Sequence, residues 1–324
     1  MKRRPGITLI EVLVAIFIMA IGLLALLTLF PLGALRMSQA LQDDRAGASA
    51  SAAANICDAF GIRTDPTFIN PVNKFANPAP PNSNNYPPTF PSGGGFPVWV
   101  DPYGMIADPA NTPLGLFNIV TPPTQATPGI QRVTPSVIPG IYSNNAGNAA
   151  PRYFTLLDDM TFLTNGLPDT SGGGVLQRGD RYTWGLMLHR LSYNSSLITN
   201  LTVVVYAGRA TALPGGEATY SAAGAYQGTE VILTHNGTPP TIRRGTWILD
   251  TSYDPIPSTV HGDFYRVVAV TPVPGSATQV SLELQTPISK STGITAVTVM
   301  DNVVDVFDRG PGGSNQWESH TQGP

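Results

Sequence analysis

The feature that most constrains this chain is a long apolar run close to its amino terminus. From Ile7 to Leu35 the only charged side chain is that of Glu11. As a helix this run would extend about 44 Å, whereas about 20 residues are enough to cross the hydrocarbon core of a bilayer. Cations fill positions 2–4 ahead of the run, and by the positive-inside tendency they keep the amino terminus in the cytoplasm. The sequence therefore predicts a single-pass membrane protein whose remaining residues are exported.

A cleaved secretory signal is the first competing interpretation. The segment 48–54, ASASAAA, supplies small residues that resemble a signal-peptidase site. A secretory signal, however, has an apolar core of about 7–15 residues with the cleavage site close behind it. The run here is about twice as long as that core, and the small residues lie well beyond its end. An ordinary single-pass anchor is the second alternative, and Glu11 separates it from a more specific function.

The carboxylate of Glu11 needs a cationic partner if the run is surrounded by apolar groups. An acidic side chain in an apolar segment costs about 2–3 kcal/mol or more unless it is paired. The nearby candidates are the leader residues Lys2, Arg3 and Arg4, or an α-amine created by cleavage just before Ile7. Such an amine would lie about one helical turn from Glu11, in the same chain or in a neighbouring copy.

The residues GITLIEVLVAIFIMAIGLLAL resemble the class III signal sequence of type IV pilins and type II secretion pseudopilins. The segments EVLVA and AIGLL are especially similar to the minor pilins. The resemblance implies that prepilin peptidase cleaves after Gly6 and that the new terminal residue, Ile7, is N-methylated. It also implies that Glu11 matches the family glutamate that pairs with a terminal amine when subunits pack into a filament.

The same resemblance implies a structural subunit, with no enzyme activity and no cofactor. Its implied partners are prepilin peptidase and other pilin or pseudopilin subunits. It implies storage in the inner membrane, followed by a place in a periplasmic or extracellular filament. The family usually has Phe where Ile7 stands. The single cysteine, Cys57, cannot form the disulfide of many major pilins, which argues against a conventional major pilin, and the size of the exported domain favours a minor subunit. A membrane-anchored adhesin or substrate-binding module is the alternative that stays open.

The whole chain is expected to have an α+β fold. A basic leader (1–6) precedes a long helix (7–60), which Gly22 and Pro31 are expected to bend and Gly61 to stop. In its second part, Met37, Leu41, Ile56 and Phe60 are predicted to form the face that packs on the exported domain. A loop-rich region (61–151) follows, because 18 of the 31 prolines fall between residues 66 and 151. An antiparallel β domain (152–308) and a flexible tail (309–324) complete the chain.

The β domain is predicted from short runs of β-branched and aromatic residues separated by Gly, Pro and Asn. Strict alternation in QVSLELQ places Val280, Leu282 and Leu284 on one face of a strand. Interspersed aromatic residues are expected to fasten the proline-rich region onto this core. They are Phe90, Phe96, Trp99, Tyr103 and Phe117.

Signals for chemistry in the sequence are weak. The best metal candidate is DNVVDVFD, where Asp301, Asp305 and Asp308 offer the oxygen ligands that calcium prefers, although their spacing matches no recognised loop. The four histidines are scattered, and the net charge of −3 gives no basic footprint for nucleic acid. A membrane-tethered enzyme is the third alternative, and it would require a buried, convergent cluster of acid or histidine side chains.

Overall fold

The computed structural model describes residues 9–63, 97–100, 130–133, 160–167, 169, 182–190, 199–209, 216–254 and 259–312. Within these residues a long helix, α1 (Leu9–Ala59), precedes a series of strands that pair mainly antiparallel. This order confirms the predicted α+β class. Among the described residues, no helix combines the length and the apolar character that crossing a membrane requires.

Helix α1 ends in a Schellman motif. Gly61 has a φ of 63°, a left-handed conformation that glycine adopts without steric cost. The N–H of Ile62 donates to the carbonyl of Cys57 at 2.9 Å, and the N–H of Gly61 donates to the carbonyl of Asp58 at 3.1 Å. Ile62 and Cys57 are both fully buried and supply the apolar contact that accompanies this motif. The predicted stop at Gly61 is confirmed.

The strands follow the helix in a fixed order along the chain. They are β1 (Val98–Val100), β2 (Gln131–Val133), β3 (Tyr182–Arg190), β4 (Thr199–Ala207), β5 (Glu217–Gly224), β6 (Glu230–Thr234), β7 (Trp247–Asp250), β8 (Tyr253–Asp254), β9 (Thr259–Val260), β10 (Phe264–Pro272), β11 (Gln279–Leu284), β12 (Ile294–Met300) and β13 (Val303–Gly312). They form a five-stranded sheet in the order β13–β4–β3–β1–β2, a closed barrel in the order β10–β11–β6–β5–β12–β7, and the small pair β8–β9.

The central strands of the sheet are buried on both faces. Trp184 and Leu186 of β3 and Val203 of β4 share one core with the end of α1. Met187 and Val204, which alternate with them, lie in a second core with residues of barrel strands β7 and β12. Because both faces are covered, these strands read as continuous apolar runs in the sequence.

The proline-rich region contributes two strands to this sheet. Trp99 of β1 is fully buried and covers Gly185 of β3, where a Cβ atom would overlap the indole ring. This confirms Trp99 as an aromatic anchor. The other predicted anchors, Phe90, Phe96, Tyr103 and Phe117, lie outside the described residues.

The barrel has its own core. Leu282 and Leu284 of β11 are buried in it and Val280 packs against it, which confirms the alternation predicted for this strand. Strand β13 continues to Gly312, so the predicted boundary at residue 308 is placed too early. The bulges that interrupt its pairing with β4 around Asp308 and Pro311 weaken the regular pattern from which a strand end is inferred.

Candidate functional site

The first part of α1, residues 9–41, carries large apolar side chains that are exposed; we call it the apolar half. The exposed positions include Val12, Leu13 and Val14 in direct succession, so they lie on every side of the helix. Monomeric soluble proteins rarely leave a continuous apolar surface of this size uncovered. The set comprises Leu9, Ile10, Val12, Leu13, Val14, Ile16, Phe17, Ile18, Met19, Ile21, Leu23, Leu24, Leu27, Phe30, Leu32, Leu35, Met37 and Leu41.

Glu11 lies in the first turn of α1 and is exposed. The amino-terminal end of a helix carries partial positive charge, which stabilises a carboxylate there by about 0.3–1 kcal/mol. The two residues that flank the expected cleavage point, Gly6 and Ile7, lie outside the described residues. The pairing of Glu11 with the amine of Ile7 therefore stays a prediction.

The two expected bend positions lie inside the continuous helix. Pro31 has no N–H, so the helical hydrogen bond to the carbonyl of Leu27 is lost, yet α1 runs through this position. At Gly22 an added Cβ would meet nothing within 4 Å. The bend itself stays a prediction.

The second part of α1, residues 46–57, presents small side chains to the sheet; we call it the small-residue half. Ala46, Ala50, Ala53 and Cys57 are fully buried at intervals of three or four residues, which places them on one helical face. They share their core with residues of β3 and β4. Small side chains allow a helix backbone to approach the sheet closely, because little volume separates the two.

The prediction of which residues of α1 pack on the β domain is largely wrong. Met37 and Leu41 are 67% and 54% exposed, and Phe60 is 40% exposed. Only Ile56 packs against the core, and only partly. The prediction favours large apolar residues, whereas this surface of the sheet is filled by alanines whose weak hydrophobicity hides the pattern.

Polar contacts fix the end of the small-residue half. The guanidinium of Arg63 pairs with Asp58 at 2.9 Å and donates to the carbonyl of Gly310 at 3.3 Å. The hydroxyl of Thr199 donates to the backbone carbonyl of Arg63 at 3.0 Å, and Arg309 donates to Ser51 at 3.2 Å. The helix end is thereby joined to both β4 and β13.

The thiol of Cys57 is buried, and its surroundings suppress its reactivity. Burial raises the pKa of Cys57 from 9.0 to about 12, and the nearby Arg63 guanidinium only partly offsets this. A thiol is nucleophilic as the thiolate, so a raised pKa suppresses its chemistry. Cys57 is thus a packing residue of the helix–sheet core.

The structure separates the three aspartates of the calcium candidate. Asp301 lies in the turn before β13 and lines a cavity of about 150 Å³ with Glu217 and Tyr220. Burial raises the pKa of Tyr220, and the negative charge of Asp301 adds to the effect. Asp305 and Asp308 accept hydrogen bonds from nearby backbone N–H groups of β13, both at 2.9 Å. Among the described residues, no three acid, histidine or cysteine side chains are grouped as metal ligands.

The comparison with known families bears on the apolar half. Residues 1–27 match the prokaryotic N-terminal methylation motif. The motif is the type IV pilin and pseudopilin signal. Glu11 and Gly22 lie inside the matched segment of this pilin signal, whereas the small-residue half and the β domain lie beyond it. No curated protein and no solved structure shows significant similarity to the chain.

Proposed function

We propose that this protein is a pilin-like structural subunit, of the minor type, in a type IV pilus or a type II secretion pseudopilus. The carrying observation is that the methylation motif coincides with a helix whose large apolar side chains are exposed. Prepilin peptidase cleaves after Gly6, Ile7 becomes N-methylated, and the apolar half packs against the helices of neighbouring subunits. Before assembly the inner membrane covers the same surface, while the β domain lies on the exported side.

Hydrophobic burial and the Glu11 carboxylate have different roles in this assembly. Full burial of a Leu, Ile or Phe side chain contributes about 1.5–3 kcal/mol, so the apolar half supplies affinity. The hydrophobic effect has no direction, however, and does not fix the axial position of one subunit against the next. A buried carboxylate without its partner costs about 3–5 kcal/mol. An alignment that brings Glu11 to the amine of Ile7 in a neighbouring subunit avoids this cost.

The proposal is tested on the mature protein and on one carboxylate variant. Mass spectrometry of the assembled protein is expected to find N-methylated Ile7 as the first residue. Glu11→Ala is expected to be processed and to reach the membrane, but to be depleted from filaments. Asp43→Ala, which removes another exposed carboxylate of the same helix, is the matched control and should assemble normally. A mature chain that still begins with Met1, or normal assembly of Glu11→Ala, would contradict the proposal.

A further inference from the structure

A buried acid–histidine pair in the β domain faces a hydroxyl at the surface. Asp250 and His261 are 0% and 2% exposed, and Asp250 Oδ2 lies 2.7 Å from His261 Nδ1. The other ring nitrogen, Nε2, lies 3.1 Å from the hydroxyl oxygen of Thr292, a residue that is exposed. This is the buried, convergent cluster that a membrane-tethered enzyme, the third alternative from the sequence, requires.

Three separate segments hold these side chains in place. Asp250 is the last residue of β7, and its second carboxylate oxygen accepts the N–H of Ser252 at 3.0 Å. The N–H of His261, just after β9, donates to the carbonyl of Ser252 at 2.9 Å. Thr292 lies in the turn before β12, next to Gly293, whose φ is 73° and whose Cβ position is occupied by the carbonyl of Gly224. The hydroxyl is thus presented by a turn whose backbone packs closely against that of Gly224.

The protonation pattern of the imidazole follows from its neighbours. An ionised carboxylate can only accept, so the nitrogen that faces Asp250 carries a proton. In the neutral ring Nε2 is then an acceptor aimed at the Thr292 hydroxyl. A hydroxyl, a base within hydrogen-bond reach and a third group that orients the base form the arrangement of an activated nucleophile. We infer that Thr292 is an acyl-accepting nucleophile, with His261 as its general base and Asp250 as the orienting residue.

A second acceptor lies beside the Thr292 hydroxyl and competes with His261 for its proton. Asp254 Oδ2 lies 3.3 Å from the Thr292 hydroxyl oxygen, so the single hydroxyl proton has two acceptors close to it. When the hydroxyl donates to Asp254, it accepts from a protonated Nε2, and the carboxylate of Asp250 stabilises the resulting imidazolium. The network therefore accommodates His261 both before and after it takes up a proton.

The substrate class is an activated carboxylic ester. The oxygen of Thr292 forms a bond to the acyl carbon while its proton moves to Nε2 of His261. The bond from the acyl carbon to the alcohol oxygen breaks, and the alcohol leaves with the proton from Nε2. The product is an acyl ester of Thr292. Water then attacks this ester with His261 again as the base, which releases a carboxylic acid and restores the hydroxyl.

The expected rate of acylation at Thr292 is modest. General-base assistance contributes about 10²–10⁴-fold, and oxyanion stabilisation contributes a comparable further factor where donors are aimed at the developing charge. The N–H of Gly293 donates to the carbonyl of Lys290 at 2.9 Å, so it is used inside the turn. We therefore expect slow acylation and still slower hydrolysis of the acyl ester, so that acyl-Thr292 accumulates, up to one acyl group per chain.

The test treats the full-length chain with p-nitrophenyl acetate and locates the acetyl group by peptide mass spectrometry. Acetylation of Thr292 is expected, retained in Thr292→Ser and lost in Thr292→Val. Ser291→Ala removes the adjacent exposed hydroxyl of the same turn and should leave the labelling rate unchanged. Asp250→Asn and His261→Gln should each slow acetylation by about 10²–10⁴-fold.

Two further readouts keep the test decisive if a buried variant does not fold. In Thr292→Ser the labelling rate should not increase in simple proportion to hydroxide, because a base within the protein takes the hydroxyl proton. Thermal unfolding of Thr292→Val, an exposed position, should show that the fold persists without the hydroxyl. Labelling that persists in Thr292→Val, a rate insensitive to Asp250→Asn in a folded protein, or simple proportionality to hydroxide would overturn the inference.

Discussion

The two halves of α1 belong to one helix and have opposite surroundings. In the apolar half, Phe17 and Leu23 are 65% and 68% exposed. In the small-residue half, Ala46, Ala50 and Ala53 are fully buried. Among the described residues of α1, the more hydrophobic half is thus the more exposed one. Burial along this helix follows the space available on the sheet and not the hydrophobicity of the side chains.

Because their exposure differs, the two halves of α1 contribute to different processes, namely folding of the domain and assembly with other chains. The small-residue half contributes to the stability of its own domain, because it closes one face of the five-stranded sheet. The apolar half exposes large side chains, and each of them gains about 1.5–3 kcal/mol when another surface covers it. Substitutions in the two halves should therefore change different properties: domain stability in the first case, and association in the second.

The largest expected effect concerns thiol reactivity in the small-residue half. The rise in the pKa of Cys57 from 9.0 to about 12 lowers its thiolate population at pH 8 by about a thousandfold. Alkylation of native Cys57 by iodoacetamide should be slower than alkylation of Asn55→Cys, an exposed position on the same half, by a factor of this order. Equal rates would show that this half separates readily from the sheet.

The same pKa difference predicts how stability depends on pH. Above pH 9.0 the unfolded chain loses the thiol proton, whereas the folded chain keeps it up to about pH 12. The contribution of the Cys57 thiol to the free energy of unfolding is therefore complete below pH 9.0 and decreases as the pH rises toward 12. Urea titrations across this range should show a smaller decrease in Cys57→Ala than in the parent chain.

A smaller effect is expected from adding volume at matched alanines of the two halves. Ala50→Leu inserts three carbon atoms between α1 and the sheet and should lower the free energy of unfolding by about 1–3 kcal/mol. Ala20→Leu makes the same change at an exposed position of the apolar half and should leave domain stability within about 0.5 kcal/mol. Urea unfolding followed by the fluorescence of the buried Trp184 measures both. A neutral Ala50→Leu would contradict the close approach of helix and sheet.

Much of this fold can be predicted from the sequence because local patterns are strong. Alternation identifies β11, and a glycine after a helical segment identifies the stop at Gly61. Strand β5, Glu217–Gly224, escapes prediction because it consists largely of alanine, serine and glycine, which carry little β preference. Residues 295–307, TAVTVMDNVVDVF, read as one continuous β-rich run, but they contain a turn in which Asn302 adopts a φ of 64° and which separates β12 from β13.

The two candidate sites also differ in how far they can be predicted from the sequence. The apolar run and Glu11 are contiguous in sequence, so the amino-acid order alone is enough to recognise the pilin signal. The Asp250–His261–Thr292 cluster is not recognisable in this way, because His261 is 11 residues from Asp250 and 31 from Thr292. Only the pairing of distant strands brings them together. The sequence carries one weak signal, namely a histidine close to an apolar strand, and alone it is typical of an ordinary buried residue.

The central claim is that other chains cover the apolar half in the working protein. It is tested most directly by labelling assembled filaments with a water-soluble maleimide, comparing Ala15→Cys in the apolar half with Asn55→Cys in the small-residue half. Both positions are exposed in the single chain, and native Cys57 is buried. We expect Asn55→Cys to be labelled and Ala15→Cys to be protected until the filament is dissociated. Equal labelling of the two cysteines in intact filaments would contradict the account.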